Sequence, residues 1–161
     1  MPINVRPMTP SDKPVIIKIL QKTPEFKPSE VAVAEELIDS YLADAYQSGY
    51  HIYVAEVDSV VVGYICYGPT PLTEGTWDIY WMAVAPQMQG QGIGTALLES
   101  AERKIKKAVG RLALIETSSV PAYEKTRRFH IHRGYEIIAC VPDFYAPGDD
   151  KLILQKRLRQ S

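Results

Sequence analysis

Three glycines at alternate positions constrain the fold of this chain more than any other feature of its sequence. Gly90, Gly92 and Gly94 lie in the segment VAPQMQGQGIGTALL, between a run of residues typical of a strand and a run typical of a helix. Glycine weakens regular secondary structure, and a tight strand-to-helix turn requires only one or two of them. The alternation therefore predicts a strand, a tight loop and a helix whose first turn is kept open for a ligand.

The ligand predicted for such a helix start is an anion, because the first N–H groups of a helix have no partner within the helix. Glycines also let a diphosphate approach the backbone, since they carry no Cβ atom. The G-x-G-x-G spacing differs from the G-x-G-x-x-G fingerprint of dinucleotide-binding proteins, and the segment has no lysine for a nucleoside triphosphate loop. What remains is a phosphate-containing ligand held by backbone N–H groups of a segment that has no cation.

The hydrophobic pattern of the chain predicts an α/β fold, with a mixed sheet and helices on its faces. The predicted order is β-α-α-β-β-β-α-β-α-β-β, in one domain that spans residues 1–161. Ser29 is the predicted N-cap of the second helix. In the helix after the glycines, the pattern places Ala101 on the buried face and Glu102 on the exposed one. The segment PDFYAPGDD (142–150) is predicted to be a loop between the last two strands.

The composition argues against several classes of protein. The 161 residues carry a net charge of −1 and no basic stripe, so we expect no nucleic-acid partner. There is no run of 18 apolar residues and no basic, apolar leader, so we expect a cytoplasmic protein with no membrane partner. Cys66 and Cys140 lie in apolar runs without metal-ligand spacing, so we expect both to be buried and reduced, and no metal site.

The segment YWMAVAPQMQGQGIGTALL resembles the acetyl-CoA signature of the GNAT superfamily of N-acetyltransferases, V-x-P-x-x-[QR]-G-x-G-[IV]-G-x-x-L. The matching positions are Val84, Pro86, Gln89, Gly90, Gly92, Ile93, Gly94, Leu97 and Leu98. The order of the predicted elements is also similar to that fold, as are the helix around FHIHRGY and the final hairpin. The resemblance implies a mixed sheet of six to seven strands flanked by about four helices, with acetyl-CoA as the acetyl donor.

The resemblance also implies which residues hold the cofactor. The backbone expected to pair with the pantetheine amides, like an added strand, belongs to Met82, Ala83 and Val84. The N–H groups expected to hold the pyrophosphate belong to Gln89, Gly90, Gln91, Gly92, Ile93, Gly94 and Thr95. The hydroxyl of Thr95 is expected to add one further donor. The side chains expected at the thioester end are Tyr123, Thr126 and Phe129.

Acetyl transfer to an amine requires a base that takes the amine proton, a donor for the oxyanion and a proton for the departing thiolate. Asp78 is the first candidate for the base, since the resemblance places an acidic residue on the strand that leads to the signature. Tyr80 and Met82 are expected on the same face of that strand, by the period of two. Glu116, near the end of the neighbouring strand, is the second candidate. There are two alternatives to a catalytic base. Asp78 can lack a catalytic role, or the acidic group can serve only to attract a cationic amine.

The candidate for the acid is a histidine. The family pattern has a tyrosine four residues before the glycine that ends the later helix, and in this chain His130 stands four residues before Gly134. Histidine exchanges protons near neutral pH, so His130 can take the role. The alternatives are a structural histidine, and transfer of the role to Tyr123, Tyr145 or solvent.

The predicted function is direct transfer of an acetyl group, in a ternary complex, to a primary amine of a small molecule or peptide. Phe144, Tyr145, Asp149 and Asp150 are candidates for contact with that amine, but no motif identifies the acceptor. The alternative is a non-catalytic acyl-CoA-binding or regulatory module. A homodimer is expected, because members of the family often pair.

Overall fold

Seven strands form one sheet in the computed structural model, which describes residues 2–159. The strands are β1 (Asn4–Pro7), β2 (His51–Val57), β3 (Val60–Pro69), β4 (Thr76–Val84), β5 (Leu112–Ser118), β6 (Glu136–Ala146) and β7 (Asp149–Arg157). They lie in the order β1-β2-β3-β4-β5-β7-β6. Neighbouring strands are antiparallel except β4 and β5, which are parallel. The predicted mixed sheet is therefore confirmed.

Five α-helices accompany the sheet within residues 2–159. They are α1 (Lys13–Lys22), α2 (Pro28–Ala43), α3 (Ala45–Ser48), α4 (Ile93–Lys107) and α5 (Glu124–His132). Side chains of α1 and α2 pack on one face of the sheet, and those of α4 pack on the other. The predicted order is confirmed with one addition, because Asp44 interrupts the second predicted helix. Its carboxylate accepts the N–H of Gln47 and caps the one-turn helix α3. No helix within residues 2–159 is both long enough and apolar enough to cross a bilayer.

Ser29 does not cap the N-terminus of α2, contrary to the prediction. Pro28 is already the first helical residue, and Lys27 occupies the N-cap position. The carboxylate of Glu30 accepts the N–H of Lys27 at 3.3 Å. Proline fits this first position, because its fixed φ suits a helix and its missing N–H would have no helical partner there.

The last two strands are longer than predicted, and the prediction of a loop over 142–150 is wrong for most of that segment. β6 continues to Ala146 and β7 begins at Asp149, so that only Pro147 and Gly148 lie outside the strands. Gly148 has a φ of +81°, as the tight turn requires. The aromatic residues before the turn favour a strand, which prolongs β6.

The sheet divides between β4 and β5. Their parallel pairing ends at Ile79 and Ile115, and beyond these residues the two strands share no backbone pairing. The end of β4 continues beside β3, whereas the end of β5 continues beside β7. This fork leaves an open wedge in the middle of the sheet.

A bulge lies at the fork. The register with β3 shifts so that Tyr80 is an extra residue between Ile79 and Trp81. Ile79 and Met82, three residues apart, therefore both pack on the α4 side of the sheet. Asp78 lies on the other side, next to Tyr80 in a small cavity. The prediction that Asp78 shares a face with both Tyr80 and Met82 is thus wrong for Met82.

Glu102 is buried, contrary to the prediction that it lies on the exposed face of α4. It is only 8% exposed. Its carboxylate accepts hydrogen bonds from the Tyr135 hydroxyl at 2.8 Å and from Lys156 Nζ at 2.9 Å. A buried carboxylate needs such partners. The packed face of α4 is therefore wider than the apolar pattern indicates.

The two cysteines have different environments. Cys66 is buried in β3, as predicted, and burial raises the pKa of its thiol to about 12. Cys140 is exposed on β6, contrary to the prediction. Because β6 is an edge strand, its side chains have a neighbouring strand on one side only.

Candidate functional site

A cleft of about 1170 Å³ opens where β4 and β5 separate. The end of β4 and the glycine loop after it form one wall, and α5 forms another. A third side is lined by residues 23–33, which comprise the loop after α1 and the start of α2. The predicted cofactor residues that line the cleft are Met82, Ala83, Val84, Gln89, Gly90, Gly92, Ile93, Gly94, Thr95, Tyr123, Thr126 and Phe129. Gln91 belongs to the same loop, but it does not line the cleft.

The end of β4 offers a free backbone edge. Residues 82–84 pair with residues 63–65 of β3 on one side. On the other side, no strand of the described chain pairs with them. An extended ligand with amide groups can add to such an edge as a further strand.

The glycine loop has a backbone conformation that other residues rarely adopt. The φ angle is +79° at Gly90 and +84° at Gly92, and a Cβ atom at either position would have no atom within 4 Å. Conformation rather than crowding therefore selects glycine at both positions. Within residues 2–159, no backbone acceptor takes up the N–H groups from Gly90 to Thr95. The loop and the first turn of α4 thus present a row of free donors.

Gly94 is required for a different reason. A Cβ atom at this position would lie 3.2 Å from the ring of Phe129. The start of α4 therefore lies directly against α5, and a larger residue would push the two helices apart.

Two cations reach the glycine loop from α5 and its C-terminal end. Arg133 donates from Nε and Nη2 to Thr95 Oγ1, at 2.9 and 2.6 Å. Lys125 donates from Nζ to Gln89 Oε1 at 3.0 Å. Neither residue belongs to the glycine motif, and nothing in the sequence pattern indicates which helix packs against the loop. The loop itself has no cation, but the fold brings two to it.

A free strand edge and a row of unpaired N–H groups suit a ligand that carries both amides and a diphosphate. The family model described as "Acetyltransferase (GNAT) family" matches residues 16–135 of the chain. The chain belongs to the GNAT family. A GNAT-family protein from Desulfovibrio desulfuricans has 40% sequence identity and a TM-score of 0.92, covering 98% of this chain and 100% of that one.

Two further relatives have lower similarity to this GNAT chain. An uncharacterised N-acetyltransferase from Methanocaldococcus jannaschii is 34% identical over 108 residues, and the match spans 65% of this chain and 65% of the relative's length. The PaiA N-acetyltransferase from Thermoplasma acidophilum, solved in complex with coenzyme A, is 16% identical with a TM-score of 0.76. That alignment covers 98% of this chain and 99% of the other, and it shows the same fold.

Acetyl-CoA is the cofactor of this acetyltransferase family, and the cleft of this GNAT chain fits it. When bound, acetyl-CoA supplies an acetyl group activated as a thioester. The free edge at residues 82–84 suits its pantetheine amides, and the donors from Gly90 to Thr95 suit its diphosphate.

Of the two predicted bases, Glu116 lines the cleft and Asp78 does not. Glu116 is the first β5 residue beyond the fork; its side chain is 51% exposed and lies 3.1 Å from Lys151 Nζ. Asp78 lies just before the fork, and its Oδ2 accepts a hydrogen bond of 2.6 Å from the Thr70 hydroxyl. A cavity of about 130 Å³ is shared by Asp78, Tyr80 and Glu116. The two carboxylates therefore lie on one side of the sheet, at different depths from the cleft.

His130 lies on α5 and lines the cleft, but it is only 3% exposed. Its Nδ1 has no hydrogen-bond partner in the part of the chain that the structure describes. Burial, and to a lesser extent Arg133, lower the pKa of His130 to about 4. The imidazole is therefore neutral at neutral pH, contrary to the expectation that it exchanges protons there.

Tyr123 and Tyr145 both line the cleft, but only Tyr123 is hydrogen-bonded. Its hydroxyl donates to Glu30 Oε2 at 3.0 Å, and burial, followed by this carboxylate, raises its pKa. Tyr145 is 46% exposed, and its hydroxyl has no partner within residues 2–159. Burial raises the pKa of Tyr145, with smaller contributions from the carboxylates of Glu116 and Asp149. Tyr145 is therefore protonated and available for a ligand.

The remaining candidates for contact with the acceptor differ in whether they line the cleft. Asp149 lines the cleft and accepts a hydrogen bond from the Ser118 hydroxyl, whereas Phe144 and Asp150 do not line it. Tyr80 also lines the cleft, although the sequence predicted only that it shares a face with Asp78. Burial, followed by the Asp78 carboxylate, raises the pKa of Tyr80 to about 12.

Proposed function

We propose that this chain transfers the acetyl group of acetyl-CoA directly to a primary amine of a cationic acceptor. The observation that carries the proposal is the position of Glu116 at the fork, in a cleft that Glu25, Glu30 and Asp149 also line. Direct transfer in a ternary complex agrees with the buried position of Cys66 and with the exposed position of Cys140 outside the cleft. Proximity of the two substrates then supplies much of the rate acceleration.

The acidic residues of the cleft support a cationic acceptor. Four of them line it, and we call this set the acidic wall: Glu25, Glu30, Glu116 and Asp149. Phe26 and Trp81 meet edge to face at 5.5 Å between ring centroids and add aromatic surface. Carboxylates and aromatic faces both attract ammonium groups. The acidic wall thus favours a small-molecule or peptide amine that carries a positive charge.

Glu116 is the proposed base, and Asp78 is proposed to assist it. An ammonium group must lose a proton before it can attack, and Glu116 is the carboxylate that lies at the fork itself. The cavity of about 130 Å³ that Asp78 and Glu116 share can hold water. Water there would let Asp78 receive the proton indirectly.

Tyr145 is the proposed acid for the departing thiolate. Its hydroxyl is unpartnered and protonated, whereas the Tyr123 hydroxyl is engaged by Glu30. The neutral, buried His130 is proposed to shape the cleft rather than to supply an imidazolium proton.

Release of free CoA from acetyl-CoA, measured against a panel of amines, tests the proposal. The panel contains diamines and polyamines, aminoglycosides, peptides with free N-termini and neutral amino acids. We expect turnover with acceptors that carry more than one positive charge. Saturable cofactor binding without turnover on any amine would instead support a non-catalytic acyl-CoA-binding module.

We also propose that the protein is cytoplasmic, that residues 1–161 form one domain and that the chain forms a homodimer. The family membership agrees with each of these proposals, and each can be tested by a separate measurement. Cell fractionation tests the location, limited proteolysis the single domain, and light scattering of the purified protein the dimer.

A further inference from the structure

Three residues at one face of α5 contact the glycine loop or the first turn of α4. Lys125, Phe129 and Arg133 stand four residues apart and share this face of the helix. Lys125 bonds to Gln89 at the start of the loop. Phe129 packs against Gly94, and Arg133 bonds to the third residue of α4. We call these three residues the α5 brace.

The cations of the brace have no acidic partner. Within residues 2–159, neither Lys125 nor Arg133 forms an ion pair with a carboxylate. Arg133 is half-buried, and its guanidinium lies 4.1 Å from the centre of the Phe129 ring. Its N–H groups bond to the Thr95 hydroxyl and, at 3.4 Å, to the Phe129 carbonyl oxygen, but neither partner carries a charge. A partly buried cation without an anion favours the binding of one, because burial removes water that would otherwise solvate the charge.

Arg133 also fixes the direction of the Thr95 hydroxyl. A hydroxyl oxygen has two lone pairs, and the two N–H groups of Arg133 occupy both. The hydroxyl hydrogen of Thr95 is then left to donate. Thr95 lines the cleft beside the row of free N–H groups, so its hydroxyl joins them as a donor.

We infer that the α5 brace is part of the cofactor site, where it holds the glycine loop in its binding conformation and supplies two side-chain cations for the cofactor phosphates. Arg133 contributes charge and also positions the Thr95 hydroxyl. Lys125 contributes charge at the exposed end of the loop. This inference rests on the cofactor of the family and is independent of the proposed acceptor.

Isothermal titration with CoA, 3′-dephospho-CoA and pantetheine tests the brace without any turnover. We expect Arg133→Gln to raise the Kd for both phosphorylated ligands about tenfold to a hundredfold, as for loss of a charged hydrogen-bond donor. The Kd for pantetheine, which has no phosphate, should change less than twofold. Lys125→Gln should raise the Kd for CoA by about threefold, because that cation is exposed.

Matched variants separate an effect of the Arg133 charge on CoA binding from an effect on folding. Arg133→Lys keeps the charge but cannot bond twice to Thr95, so its CoA affinity should lie between those of the native chain and Arg133→Gln. Thr95→Val should weaken CoA binding in the native chain, but add little in the Arg133→Gln variant. Arg128→Gln is the control, since Arg128 lies on the same helix, is exposed and pairs with Glu124 at 2.9 Å.

Two results would overturn the inference. One is an Arg133→Gln chain that melts like the native protein and binds CoA within twofold of the native affinity. The other is an equal loss of affinity for CoA and pantetheine in the Arg133→Lys variant. The latter would show that Arg133 maintains the fold of the cleft and does not act on phosphate.

Discussion

At the scale of single residues, Glu116 and Asp78 differ in their position relative to the cleft, because only Glu116 lines it. Glu116→Gln should lower kcat by about a hundredfold or more, because a general base contributes that much, and should leave the Kd for CoA unchanged. Asp78→Asn should lower kcat by less than about tenfold, because Asp78 lies outside the cleft and is held by Thr70. Steady-state kinetics with the best amine of the panel provides the measurement.

Glu99→Gln is the control for these two variants, since Glu99 is an exposed carboxylate of α4. A larger loss of kcat in Asp78→Asn than in Glu116→Gln would reverse the assignment. It would make Asp78 the base and leave Glu116 as a residue of the acidic wall that attracts the amine.

His130 makes stability depend on pH. Its pKa is lowered from 6.5 to about 4 in the folded chain, mainly by burial. Between these values the unfolded chain binds a proton that the folded chain does not, so the native state loses stability as pH falls from about 6.5 to 4. The full loss amounts to about 3 kcal/mol, and it should be absent in His130→Phe.

Urea unfolding at pH 7.0 and pH 4.5 measures this dependence. The quantity compared is the change in unfolding free energy between the two pH values, so a constant loss of stability in His130→Phe does not affect the result. His132→Gln is the control, because His132 is exposed on the same helix. The same pH dependence in His130→Phe as in the native chain would contradict the assignment.

Residue types and their spacing predicted the glycine loop, and the resemblance to the GNAT family implied the β4 edge and the helix that lines the cleft. Neither predicted that Arg133, Lys125 or Tyr80 would line it. The two cations matter because α5 packs against a loop about 40 residues earlier in the chain, and that contact is tertiary. The face of Met82 was wrong because of a one-residue bulge at Tyr80, which alternation cannot reveal because it assumes an unbroken period of two.

At the scale of elements, the strand-to-helix loop depends on glycine for its conformation. Gly92→Ala should cost about 1 kcal/mol of stability, because φ is +84° and no neighbouring atom is crowded. It should also raise the Kd for CoA, since the N–H groups around it would move. Thermal unfolding and CoA titration provide the two measurements.

Gly49→Ala is a matched control for the loop. Gly49 ends α3 with a φ of +74°, also without crowding, and it does not line the cleft. Both variants should lose similar stability, but only Gly92→Ala should lose CoA affinity. An equal effect on affinity would mean that the loop conformation has no specific role in binding.

The strand before the glycine loop was predictable because its local signals are strong. The aromatic and β-branched residues of β4 favour a strand, and Pro86 follows shortly after its end. The final hairpin was misjudged for the opposite reason. Proline, glycine and aspartates in 142–150 are typical of a loop, but Pro147 and Gly148 alone suffice for the turn.

At the scale of the whole molecule, the cleft exists because the sheet divides into two parts. Strands β1 to β4 form one part and β5 to β7 the other. In the described part of the chain, the strands of the two parts pair only between residues 76–79 and 112–115. The mixed character of the sheet was predictable from the order of elements along the chain. The fork was not, because it depends on where two parallel strands cease to pair.

A cofactor bound along β4 should stabilise both parts of the sheet together. At a CoA concentration of 100 times Kd, the expected gain in unfolding free energy is about 2.7 kcal/mol. Hydrogen exchange should slow both at the end of β4 and at the end of β5, because the ligand fills the wedge between them. Slower exchange confined to the glycine loop would show that the diphosphate binds while the wedge stays open. Pantetheine at 100 times its own Kd should protect the strand ends but leave the loop unchanged, since it has no phosphate.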